Sequence, residues 1–187
     1  MAYINTTNFA NDGKIGVDFT KTYASCSAGS TSFPPCMPGD RIRGSNASDW
    51  MFVRAESEIS AYNLCGIAVY ADSASTTPVP RAAPVTTTTI APGGVAGVAP
   101  ILGIAQTNIP SSYYGWIALE GSLLQVTAAA SSNPKLPLFT TSTAGVVSSS
   151  TVSAGYIQGL TLLTSAASAS APNCMARAMG IITSNPV

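Results

Sequence analysis

Apolar and aromatic residues fall in short runs along this chain, separated by clusters of Gly, Pro, Asn, Ser and Thr. That spacing predicts short strands joined by turns. Asp49–Ala55 (DWMFVRA) and Cys65–Tyr70 (CGIAVY) read as strands, the second of them buried. Gly39–Arg43 (GDRIR) reads as a turn feeding a short strand, and the alternation of Ile15, Val17 and Phe19 predicts another over Lys14–Tyr23. Ser57–Leu64 reads as the start of a helical turn. Ile101–Gln106 is expected to be a strand, Asn108–Ser112 a turn, and Tyr113–Leu119 a strand that places Tyr114 and Trp116 on one face. Gly121–Ala128 continues that ladder. After a turn at Asn133–Pro137, strands are expected at Leu138–Thr141, Tyr156–Leu163 and Cys174–Thr183, with a tight glycine turn at Thr143–Val147. The sum is an all-β fold, a small β-barrel or sandwich of short antiparallel strands. No period of 20 to 50 residues repeats, so neither a solenoid nor a propeller is expected, and heptads are absent.

Two stretches break this pattern. Residues 1–38 are polar, rich in Gly and Ser and punctuated by Pro34, Pro35 and Pro38, and they read as an extended N-terminal arm. Such an arm is ordered only by lying on another surface, so contact with a neighbouring subunit is expected of it. Residues 39–187 form the β domain. Within it, 75–100 (STTPVPRAAPVTTTTIAPGGVAGVAP) reads as a long Pro/Thr-rich surface loop, since prolines and small residues sustain neither a helix nor a packed face. The candidate interaction residues are accordingly Phe33, Pro34, Pro35 and Pro38 in the arm, and Pro78, Pro80, Arg81, Thr87 and Thr88 in the loop.

Composition sharpens the reading. Hydrophobic residues make up 46% of the 187 residues and charged residues only 9%, against roughly 25% charged in an ordinary globular domain. A surface so poor in charge is weakly protected against association, so much of it is expected to be covered by copies of the chain or by another protein. Eight basic and eight acidic residues give zero net charge. With no basic run, no nucleic-acid partner is expected. The polar segment Met1–Ala10 lacks the features of an export leader, and the apolar runs are broken by Gly and Pro well short of a membrane-spanning length.

Candidate chemistry is sparse. The chain has no histidine, so a serine nucleophile would need a lysine base, and Lys14, Lys21 and Lys135 all lie in polar settings. Glu56 and Glu58 read as solvated charges in a turn, and Asp40 as the partner of Arg41 or Arg43 in a surface ion pair. Glu120, at the end of an apolar run, is expected to fix strand register through a hydrogen bond. Cys26, Cys36, Cys65 and Cys174 are irregularly spaced with no CxxC pair, which favours buried, unpaired thiols over a zinc site; a local bridge between Cys26 and Cys36 is the alternative. Gly93–Val98 (GGVAGV) lacks the Lys and hydroxyl residue of a phosphate loop. Trp50, Tyr113, Tyr114 and Trp116 read as core, with a sugar-stacking platform as the alternative. No catalytic, cofactor or metal residues are expected.

From Gly39 onward the chain resembles the head decoration, or capsid cement, proteins of tailed bacteriophages. The resemblance lies in GDRIRGS followed by DWMFVRAESEISAYNLCGIAVY, in LGIAQTNIPSSYYGWIALEG, and in LPLFTTSTAGVV followed by YIQGLTLLTSA. It implies a non-catalytic structural protein of the virion, assembled in the host cytoplasm and bound to the capsid surface as a dimer or trimer. Its implied partners are the major capsid protein, whose neighbouring copies it would bridge, and itself. The alternative is a tail or fibre component that binds host glycan.

Overall fold

The run DWMFVRA is apolar at nearly every position because its strand is buried on both faces. In the structure, a computed structural model, it is β2 (Asp49–Ala55), with Trp50 and Phe52 on one side and Met51, Val53 and Ala55 on the other, all buried. Residues 17–24, 36–45, 47–72, 75–90, 101–150 and 155–182 are described. Among them the regular structure is entirely β: β1 (Arg41–Arg43), β2, β3 (Leu64–Asp72), β4 (Ser75–Pro84), β5 (Ile101–Ala105), β6 (Tyr114–Gln125), β7 (Leu138–Thr140), β8 (Val147–Ser148), β9 (Tyr156–Leu162) and β10 (Asn173–Ile182).

Five of these close on themselves. The order β2-β4-β3-β5-β6 is completed by pairing of β6 back to β2, which makes a small barrel. β1 extends β2, while β10, β9, β7 and β8 extend β6 into an outer sheet. Inside the barrel lie Met51, Val53, Ala55, Ile59, Cys65, Ile67, Ala82, Ala105, Ile109, Ile117 and Leu119. The opposite faces of the same strands, with Trp50, Phe52, Leu102, Ile104 and Trp116, pack with the outer sheet's Leu138, Ile157, Leu160, Leu162 and Cys174 in a second, larger core.

The barrel contains a repeat that its sequence hides. Residues 51–70 and 101–120 follow the same course: strand, arch, bridge residue, turn, strand. Ile59 and Ile109 bridge each other, each N–H donating to the other's carbonyl at 2.9 and 2.8 Å. Ala55 N–H donates to Tyr113 O as Ala105 N–H donates to Asn63 O, and Ser112 N–H to Ala55 O as Tyr62 N–H to Ala105 O. Tyr62 and Ser112 share a left-handed φ of 69° and 68°. Such reciprocity describes two copies of one unit around a local twofold, and it replaces the expectation of no repeat. It also replaces the helical turn expected over Ser57–Leu64, because the arch needs Ile59 extended to bridge its counterpart.

Two further expectations change. The segment 75–84 is not a loop but β4, antiparallel to β3 and parallel to β2 through Arg54↔Arg81 and Ala55↔Ala82. Its prolines are tolerated through parity. Val85 N–H donates to Leu64 O at the β3 side, whereas Ala82 O accepts from Glu56 N–H at the β2 side. Pro78, Pro80 and Pro84 share parity with Ala82, so their missing N–H groups fall where the ladder is only two residues long. Beyond β4, 85–90 is a turn region in which Thr86 N–H bonds Thr89 O; residues 91–100 lie outside the described set.

The second change concerns the arm, whose described part packs on its own chain. Phe19 stacks on Trp50 with centroids 4.5 Å apart, and Tyr23 N–H and O exchange bonds with Tyr114. Of the strand expected over Lys14–Tyr23, residues 14–16 lie outside the described set, and 17–23 form isolated bridges and a turn, because Phe19 leaves the extended path to enter the core.

Gly66 in β3 is held to glycine by contact, since a Cβ there would come 1.9 Å from the Ile90 carbonyl oxygen. Gly66→Ala is expected to cost about 1–3 kcal/mol as backbone is pushed aside. An unchanged thermal midpoint would contradict this seating of Ile90.

Candidate functional site

Charge is scarce in this chain, so its placement is informative. Arg43, Asp49, Glu120 and Arg177 line one open cleft of about 290 Å³, together with Ala47, Gly121, Ser122 and Ala176. Strand register assembles them. Arg43 of β1 faces Asp49 of β2, Asp49 faces Glu120 of β6, and Gly121 of β6 faces Ala176 of β10, one residue before Arg177. Arg43 and Arg177 therefore stand three strand spacings apart, about 14 Å, with the two carboxylates between them.

Two carboxylates facing each other across a strand pair repel unless each is neutralised. Asp49 Oδ1 accepts from Arg43 Nε at 3.3 Å, and Glu120 Oε1 accepts from the backbone N–H of Ala178 at 3.1 Å. The second bond fixes an irregularity. The β9–β10 register shifts between Ala176 and Gly180, and inside that shift Ala178 has a left-handed φ of 43°. Gly159 on β9, with φ 79°, has room there only as glycine: a Cβ would lie 2.1 Å from Arg177 O. Bulges of this kind re-aim a side chain, and Arg177 is exposed at the cleft. The expectation for Glu120, a register-fixing hydrogen bond, matches what its carboxylate does. Asp40 Oδ2 accepts from Met37 N–H at 3.1 Å.

The sequence-predicted interaction residues are not brought together. Phe33, Pro34 and Pro35 lie outside the described residues, and Pro38 is half-buried beside β1. Pro78, Thr87 and Thr88 are exposed, whereas Pro80 is buried. Arg81 is the clearest correction. It is 2% exposed, its Nη1 bonds Glu56 Oε2 at 2.9 Å, and its guanidinium lies 5.1 Å from the centre of the Tyr70 ring. A cation so covered holds the junction of β2 and β4 and does not meet a partner. Glu56 is exposed, as expected of a solvated charge, and is also the ion-pair partner of Arg81.

The aromatic cluster resolves toward core. Trp50 and Trp116 are 0% and 1% exposed, Phe52 lies between Trp116 and Tyr114, Tyr114 is partly buried and Tyr113 is exposed. Burial pushes the Cys65 and Cys174 thiols up to about 12.

The cleft itself was not legible in the sequence. Arg43 and Asp49 are six residues apart, but Glu120 and Arg177 lie far along the chain, and only pairing of β2 with β6 and of β6 with β10 gathers them.

No known protein family matches the chain, and no curated protein matches it in sequence. Among solved structures it is similar to the head fiber gp8.5 N base of bacteriophage phi29, at 16% identity over 71% of this chain and 97% of that one, with a TM-score of 0.43.

Proposed function

We propose that the chain is a non-catalytic structural protein of a tailed-phage virion, one that binds the outer face of the capsid and cements adjacent major capsid proteins. The observation that carries this reading is a surface poor in charge that exposes Met37, Val69, Leu123, Leu136 and Leu163. Apolar residues scattered over a sparsely charged surface favour burial against repeated neighbours. The sequence resemblance from Gly39 onward supports the same conclusion. A cement protein works by many well-packed contacts on a lattice, where individually modest interfaces gain from multivalency. Self-association as a dimer or trimer belongs to this proposal.

The test is reconstitution. Purified chain added to capsids that lack it is expected to bind saturably and to raise their disruption temperature; failure of both would overturn the reading. The alternative, a glycan-binding tail or fibre module, would have to stack sugars on the exposed Tyr113 and Tyr156, since both tryptophans are buried. Specific retention of the chain on a glycan array would favour it instead.

A further inference from the structure

The chain has only eight basic and eight acidic side chains, and two of each meet in the cleft between β1, β2, β6 and β10. A merely solvated arrangement would need no special backbone. Here β10 leaves its register with β9, Ala178 is held in the left-handed region, and Gly159 is confined to glycine by the carbonyl of Arg177. Strained backbone of this sort persists where surrounding structure enforces it, and it concentrates at binding sites. Glu120 enforces it, through its bond to Ala178 N–H.

The charges also differ in exposure. In the pair Arg43–Asp49 the cation is the more accessible partner, its side chain 71% exposed against 37% for the carboxylate. Asp49 Oδ1 is engaged by Arg43 and Glu120 Oε1 by the bulge. Arg177 is exposed at the opposite rim. An approaching surface therefore meets guanidinium at both rims. Guanidinium binds carboxylate through paired, planar hydrogen bonds. A phosphate backbone fits less well, because a chain of zero net charge offers no extended basic track.

We propose that this cleft is a docking site for acidic side chains of a neighbouring protein, with Arg177 and Arg43 as the two carboxylate-binding groups. The identity of that neighbour as the capsid protein rests on the cementing reading; the carboxylate chemistry does not.

A hexaglutamate peptide titrated into the full chain at low salt, followed by amide NMR, separates the two. Resonances of Gly121, Ser122, Arg177 and Ala178 are expected to shift in the wild type and in Lys135→Glu, to shift less in Arg177→Lys, and to stay in place in Arg177→Glu. Arg177 is exposed, so an unchanged amide spectrum of the free variant verifies its fold. Absence of shifts in the wild type, or equal shifts in Arg177→Glu, would overturn the proposal. On capsids lacking the chain, Arg177→Glu is expected to bind at least tenfold more weakly than wild type; equal binding overturns the docking role. A wild-type chain that binds no capsid would instead overturn the cementing reading, and the peptide titration would still decide the cleft.

Discussion

Stability is expected to fall steeply above pH 9, by about 5 kcal/mol between pH 8 and pH 11, from two buried thiols alone. Cys65 lies wholly inside the barrel and Cys174 in the core beneath the outer sheet. Removal from water raises both from an ordinary 9.0 to about 12; the backbone at Ala105 pulls Cys65 slightly the other way. The sign follows from which state ionises first. Below pH 9 both folded and unfolded chains keep their thiols protonated, and the contribution is fully present. Above it the unfolded chain loses protons that the folded chain retains, so stability drains until the folded thiols ionise near pH 12. Each thiol costs about 1.4 kcal/mol per pH unit in that window. A loss of this size is comparable to the whole stability of many domains. The Tyr23 phenol, raised by desolvation and by its neighbours Cys36 and Asp18, acts in the same direction at higher pH. Denaturant midpoints measured from pH 8 to 11 check the claim, with Cys65→Ala and Cys174→Ala each flattening the slope. A midpoint level to pH 11 in the wild type would contradict it.

Ile59→Ala and Ile109→Ala are expected to destabilise the chain by similar amounts, about 2–5 kcal/mol each. Both side chains are 0% exposed, both plug the barrel at the crossing of the two arches, and each backbone bonds the other. The double variant is expected to lose less than the sum, since truncating one side chain already loosens the packing of the other. Ile101→Ala is the control: at 38% exposure on the rim of β5 it should cost well under 1 kcal/mol. Equilibrium unfolding in urea measures all four. A severe effect at Ile59 with a surface-like effect at Ile109 would show that the arches are not equivalent.

Much of the fold could be read directly. Alternation and turn residues placed β2 at its observed limits and located β3, β5, β6, β9 and β10 to within a few residues. What escaped did so for particular reasons. β4 was masked by Pro78, Pro80 and Pro84, whose effect depends on which neighbour each missing N–H faces, and that is known only once β2 and β3 are placed. The repeat was masked because its two copies share only Ala55/Ala105, Ile59/Ile109, Ile67/Ile117 and Ala68/Ala118 among the twenty aligned positions of 51–70 and 101–120. Six of these eight residues lie inside the barrel, where shape is constrained, and the other sixteen aligned positions differ. Arg81 looked like a surface cation because nothing local announces Glu56 as its partner. The cleft depends on pairing of β2 with β6 and of β6 with β10, strands distant in sequence.

The closure of β2 on β6, instead of on its neighbour in sequence, sets an order of events during synthesis. Trp50, Phe52 and Val53 find Ala118, Trp116 and Gly115 only after the whole of β3, β4 and β5 has been made. Until residues 114–125 leave the ribosome, the nascent chain has four of the barrel's five strands and lacks the partner of the β2 edge. Long-range pairing of this kind folds slowly and leaves such edges available to other chains. Yield during expression should therefore be limited by how quickly β6 arrives, and protection of the β2 edge in that interval matters more than the stability of the finished barrel.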